Sequence, residues 1–130
     1  MSQDFLKENG LKPEITTTNS GLQYRVVKKG KGKFPRINDT VKVHYVGKLV
    51  SGNEFDSSYN RGKPAQFKVN GVIKGWTEAL MMMKKGSKWE IFIPPELGYG
   101  KKGIPGTIPP NAVLTFELEL IKPRASFFGF

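Results

Sequence analysis

The 130-residue sequence contains no cysteine and a single histidine, His44. Without cysteine there are no disulfides, thiolate metal sites, iron–sulfur clusters or cysteine nucleophile. With one histidine there is no multi-histidine metal centre, and neither a metal nor a cofactor is expected. A Ser–His–Asp relay would have to use His44, which reads as an edge histidine on the strand face opposite Val43 and Tyr45. No stretch approaches the roughly 20 apolar residues of a membrane-spanning helix. Met1 to Gly10 is polar and lacks the apolar core of a secretory signal, so the chain as it stands is expected in the cytoplasm. Had a longer native N-terminus been removed, the cell envelope would be the expected location. Phosphate-binding loops are missing too: Gly71-Val72-Ile73-Lys74-Gly75 lacks the lysine and hydroxyl that must follow the last glycine.

Acidic residues are scarce. There are 11 Asp plus Glu against 21 Lys plus Arg, a formal charge of +10. The lysines gather at Lys28, Lys29, Lys31 and Lys33, at Lys84, Lys85 and Lys88, and at Lys101 and Lys102. Glycines flank all three clusters and place them in turns. No interleaved aromatics suggest a base-stacking platform, so nucleic acid is not an expected partner. These lysines read as solvated charge that keeps strand edges from pairing.

What the chain does have is alternation. Leu22, Tyr24 and Val26 alternate with Gln23 and Arg25, the period of a half-buried strand. The same period marks Val41, Val43 and Tyr45; Trp89, Ile91 and Ile93; and Leu114, Phe116, Leu118 and Leu120. Phe67 to Val69 is a shorter strand candidate. Only Trp76, Ala79, Leu80 and Met83 carry helical spacing, with Lys84 and Lys85 placed to meet the helix dipole and Gly86 to cap it. The fold class is α+β: an antiparallel sheet with one short helix on its concave face. Residues 1–20 read as an extension or linker, with a helical turn over Phe5 to Gly10. Residues 21–123 read as the domain, and residues 124–130 as a tail with three phenylalanines.

Aromatic and apolar residues stand beside glycine- and proline-marked loops in five ordered segments. These are Val43-His44-Tyr45-Val46-Gly47; Gly52-Asn53-Glu54-Phe55-Asp56-Ser57-Ser58; Val72-Ile73-Lys74-Gly75-Trp76; Pro94-Pro95-Glu96-Leu97-Gly98-Tyr99-Gly100; and Ile108-Pro109-Pro110-Asn111-Ala112 running into Leu114-Thr115-Phe116. Their order and spacing closely resemble the FKBP-type peptidyl-prolyl cis–trans isomerases, over Leu22 to Ile121. Ser20-Gly21-Leu22-Gln23-Tyr24, Arg61-Gly62-Lys63-Pro64-Ala65 and Gly75-Trp76-Thr77-Glu78-Ala79-Leu80 are similar to the macrophage-infectivity-potentiator branch. In that branch a helical region precedes the catalytic domain, and Phe5 to Asn9 resembles the tail of such a helix.

The resemblance implies a five- to six-stranded antiparallel sheet wrapped around the helix (an FKBP-like fold), with a pocket between them. Trp76 would form the floor and Tyr45, Phe55, Val72, Ile73, Tyr99, Ile108 and Phe116 the walls, with Arg61 and Phe67 also expected to bind substrate or inhibitor. Asp56 would stand at the rim near Tyr45 and Arg61. Ala65 occupies the place where the family carries an aromatic wall residue. The activity implied is rotation about X–Pro peptide bonds in proline-containing peptides and unfolded proteins, assisting their folding. Tacrolimus- and rapamycin-type macrolides would be the inhibitors. No nucleophile, metal or cofactor is needed, since no bond is cleaved. On this reading Trp76 supports the proline ring, Tyr45 and Phe116 shape its walls, and Tyr99 donates a hydrogen bond to a substrate carbonyl. Asp56 orients Tyr45 or polarises the pocket edge.

Overall fold

The computed structural model describes residues 2–124, with the side chains of residues 4–122. The element order is α1 (Ser2–Gly10), β1 (Thr16–Thr17), β2 (Gln23–Lys28), β3 (Thr40–Leu49), β4 (Glu54–Ser57), β5 (Ala65–Lys68), α2 (Lys74–Met82), β6 (Lys88–Ile93) and β7 (Leu114–Arg124). All strand pairs are antiparallel, in the order β1-β2-β6-β7-β3-β4, with β5 also on β3. The sheet thus has seven strands. The increment over the expected five or six comes from short pieces: the two residues of β1, and a last edge divided between β4 and β5.

The helical stripe is buried as its spacing implies, with Ala79, Leu80 and Met83 inaccessible to solvent and Trp76 nearly so. It packs into one core with Val41, Val43, Ile91, Ile93, Leu118 and Leu120. Burying each such side chain is worth about 1.5–3 kcal/mol relative to exposure. The α2 helix ends earlier than expected. Met83 is already extended, so Lys84, Lys85 and Gly86 lie beyond the helix in the turn to β6. Gly86 does not cap it; its N–H donates to Leu120 O at 2.7 Å and ties that turn to β7.

A second departure concerns the far face of the sheet. Alternation places Gln23 and Phe92 outward with the polar residues, yet both are buried, while Val26 is exposed. The cause of that burial is α1. Phe5 lies over Phe92, with ring centroids 6.1 Å apart. Gln23 Nε2 donates to Leu6 O at 2.8 Å, and Asn9 Nδ2 donates to Gln23 Oε1 at 2.8 Å. The helix covers the outward face of β2 and β6 near Gln23 and Phe92. Val26 lies on the other face and is exposed where the β2–β6 register breaks between Val26 and Lys28. The aromatic tail, residues 125–130, lies outside the described residues. Among the described residues no helix is long and apolar enough to cross a membrane.

Candidate functional site

One edge of β3 is shared by two strands. β5 pairs with it from Thr40 to Val43, and β4 from Val46 to Lys48. Between them, at His44 and Tyr45, the ladder on that edge is interrupted. Buried backbone groups there need other partners, and Ser58 supplies them. Its N–H donates to Tyr45 O at 3.0 Å, and its Oγ accepts from Tyr45 N at 2.8 Å. His44 Nδ1 lies 2.7 Å from the same Oγ, and the imidazole stacks on Tyr59 at 4.3 Å. His44 therefore serves the strand edge. The Tyr45 ring, pointing the other way, is held from behind.

Five aromatic rings converge on that side. The Trp76 indole meets Tyr45, Phe67 and Phe116 at centroid distances of 5.0, 5.4 and 5.2 Å and interplanar angles of 82–85°. Phe55 meets Phe116 at 5.6 Å and 88°. Edge-to-face contacts of this kind add about 0.5–1.5 kcal/mol each beyond burial. Gly47 makes the arrangement feasible: a Cβ there would lie 2.7 Å from the Phe116 ring and 2.9 Å from Phe55. A cavity of about 450 Å³ opens beside these rings. Tyr45, Phe55, Asp56, Phe67, Val72, Ile73, Trp76, Tyr99 and Phe116 line it, joined by Gly71.

Two expected members stand apart. Ile108 is buried in the core but does not border this cavity. It is held in a tight turn by Ile104 N to Ile108 O and Ile108 N to Ile104 O, both 2.8 Å. Arg61 reaches the cavity only through its partners. Its Nη2 donates to Tyr45 Oη at 2.7 Å and its Nη1 to Asp56 Oδ1 at 2.8 Å. Phe67 faces the indole, two residues beyond the small Ala65. Gly71 and Ser58 are not among the site residues expected from sequence. A serine that plugs a ladder gap carries no local signature, because the gap exists only once β4 and β5 have paired.

The polar rim is a closed set. Tyr45 Oη donates to Asp56 Oδ2 at 2.6 Å and accepts from Arg61. Asp56 Oδ1 accepts from Arg61 and, at 2.9 Å, from the Ser57 N–H. Partial burial raises the Asp56 carboxyl's pKa, but hydrogen bonds from Tyr45 and Arg61, the guanidinium charge and the Ser57 N–H outweigh it, for a net lowering. Burial and the Asp56 carboxylate push the Tyr45 phenol up, against the opposing pull of Arg61. An ionised carboxylate with both oxygens engaged and a neutral phenol already donating are poor proton-transfer groups. Tyr99 is different. Half exposed at the cavity mouth, its hydroxyl has no hydrogen-bond partner among the described residues.

Known proteins agree with this geometry. Residues 31–121 match the family profile described as FKBP-type peptidyl-prolyl cis-trans isomerase, and residues 1–26 that of the domain amino terminal to it. The FKBP-type 22 kDa peptidyl-prolyl cis-trans isomerase of Escherichia coli is 53% identical over 118 residues, covering 91% of this chain and 57% of that protein. The outer membrane protein MIP of Legionella longbeachae is 49% identical over 120 residues, covering 92% and 52%. The crystal structure of FkpA from Escherichia coli superposes with a TM-score of 0.90 at 48% identity, over 94% of this chain and 57% of that one. The chain thus spans about half the length of the curated relatives it matches. With the fold and about half its residues shared with these proteins, the chain belongs to the family of FKBP-type peptidyl-prolyl cis–trans isomerases, and Mip-like proteins are among its relatives.

Proposed function

We propose that the chain catalyses cis–trans isomerisation of X–Pro peptide bonds in the cavity above Trp76. The observation that carries this is the pairing of an aromatic cavity with a rim whose one carboxylate is fully engaged. Such a site offers shape and dryness rather than proton transfer or a nucleophile. Rotation about the amide needs nothing more. Its barrier of ~18–20 kcal/mol comes from C–N resonance, and uncatalysed X–Pro bonds take tens to hundreds of seconds to interconvert.

The planar amide is a charge-separated hybrid that water stabilises, and the twisted transition state has less charge separation. Apolar walls withdraw that solvation from the ground state, and binding the twisted form preferentially lowers the barrier. A gain of about 7 kcal/mol corresponds to roughly 10⁵-fold acceleration. In this reading the indole of Trp76 supports the proline ring between Tyr45, Phe55, Phe67 and Phe116. Val72 and Ile73 form the opposite lip. The free hydroxyl of Tyr99 donates to a substrate carbonyl, while Asp56 and Arg61 fix the Tyr45 ring and take no proton. Ile108 backs the wall from the core.

The substrates are proline-containing peptides and unfolded proteins, and macrolides of the tacrolimus and rapamycin type compete for the same cavity. Residues 21–123 form the catalytic unit and residues 1–20 an extension, whose residues Phe5, Leu6 and Asn9 pack on the outer face of that unit. A location in the cell envelope is the reading favoured by the relative named an outer membrane protein. A rotamase assay on a proline peptide tests the activity: acceleration above background, abolished by macrolide, is expected, and a rate equal to background would sink it.

A further inference from the structure

Two lysine clusters far apart in sequence fold onto one another. Lys28, at the end of β2, pairs with Lys88 at the start of β6. Lys31 N–H donates to Lys85 O at 2.8 Å, and a Cβ on Gly30 would collide with the carbonyls of Lys84 and Lys85. The β2–β3 turn is thereby clamped to the α2–β6 turn. On the resulting surface Lys28, Lys29, Lys31, Lys33, Lys84 and Lys85 are all exposed. Among the described residues none of the six takes part in an ion pair, whereas Lys88 is engaged by Glu117 at 3.4 Å. Phe34, 50% exposed, belongs to the same surface, with Lys84 Nζ 5.5 Å from its ring centroid. Val27 and Ile37, on the same segment, are also exposed.

These features point to one kind of partner. Six uncompensated charges concentrated at one end of the molecule make a strong local field. Arg36 on the same segment is also exposed, but the other six exposed cations are lysines, which act as strongly hydrated point charges, whereas bidentate recognition of individual phosphates favours arginine. One ring is too few for a run of stacked bases. An exposed phenylalanine flanked by further apolar residues and ringed by lysine matches a bilayer interface, where ring and lysine stems meet the acyl boundary and ammonium groups meet headgroups. We infer that this surface docks the protein on a membrane rich in anionic phospholipid, at the end of the sheet formed by the β2–β3 and α2–β6 turns.

Co-sedimentation of the 130-residue chain with vesicles tests this. Binding to vesicles of equal parts phosphatidylglycerol and phosphatidylcholine, weakening as salt rises, is expected, with none to phosphatidylcholine alone. The double variant Lys31→Gln/Lys85→Gln should lower partitioning about 25-fold, about fivefold for each lysine. Phe34→Ser should lower it at every salt concentration without flattening the salt dependence. Lys101→Gln/Lys102→Gln removes the same charge elsewhere and should leave binding nearly unchanged. Circular dichroism checks that each variant is folded. An equal loss in the Lys101/Lys102 pair, or equal binding to both vesicle types, would overturn the inference. Tighter binding to a mixed-sequence DNA duplex than to anionic vesicles at the same salt would overturn it in favour of nucleic acid.

Discussion

The two tryptophans are almost equally buried, Trp76 at 4% exposure and Trp89 at 6%, yet they sit in opposite kinds of surroundings. Trp89 lies flat on Tyr24, with centroids 4.1 Å apart and planes within 8°. Stacked rings close up and leave nothing between them. Trp76 meets its three neighbours nearly at right angles, and a cavity opens beside them. Burial therefore does not separate core from site in this molecule. The cavity does: Trp76 borders it, whereas the Trp89 ring is covered by Tyr24.

The contrast can be broken from either side, and four substitutions test it in order of expected free energy. Trp89→Ala should cost about 3–5 kcal/mol of stability, read from the denaturant midpoint, because a buried tryptophan leaves a cavity. The kcat/KM of the molecules that remain folded should be unchanged. If it falls as far as in a Trp76 variant, the two ends are not distinct. Trp76→Leu should reverse the pattern. Its kcat/KM should drop on the order of ten- to a hundredfold, or about 1.4–2.8 kcal/mol of transition-state stabilisation, measured on a proline peptide.

Ser58→Ala probes the support behind the cavity. The backbone N–H of Tyr45 would lose its acceptor in a buried setting, a cost of about 1–2 kcal/mol in chemical denaturation. The accompanying loss of activity should lie in kcat/KM and be only a few-fold, since the ring contacts of Tyr45 remain.

Asp56→Asn should have the smallest effect. The Asp56–Arg61 pair is largely exposed and screened by solvent, so its removal should barely move the denaturant midpoint at neutral pH. The folded carboxyl titrates below its ordinary value, so its contribution is present above the normal carboxylate range near pH 4. That contribution is lost as pH falls through the lowered folded value. Across roughly pH 5–8 the rate profile should show no limb that depends on Asp56, since its charge does not change there. An Asp56-dependent limb in that window would assign it proton transfer and remove the distinction between a dry site and an acid–base one.

Much of this was legible before folding. The alternation of Leu114, Phe116, Leu118 and Leu120 survives intact as the inward face of β7, and the helical stripe around Leu80 is the core of α2. Nine of the residues singled out for the pocket border one cavity, because a motif of aromatics at loop-flanked strand ends carries its own placement. Ile108 stands behind that lining. Its order in the chain suits a wall, but two backbone hydrogen bonds to Ile104 turn it into the core. Gln23 and Phe92 failed because periodicity assumes that one sheet face meets water, and α1 covers that face locally.

Sequence alone determined the long strands, the core helix, the family and the lack of reactive side chains, since these depend on residue type and short-range spacing. Tertiary structure alone decided three further matters. It saturated Asp56 with Tyr45, Arg61 and Ser57, and it set the Trp76 rings at right angles around open volume. It also brought Lys28–Lys33 against Lys84–Lys85, making one charged surface of two separate runs. Each of these depends on chain segments distant in sequence meeting at a defined distance and angle, and only long-range strand pairing and packing supply that.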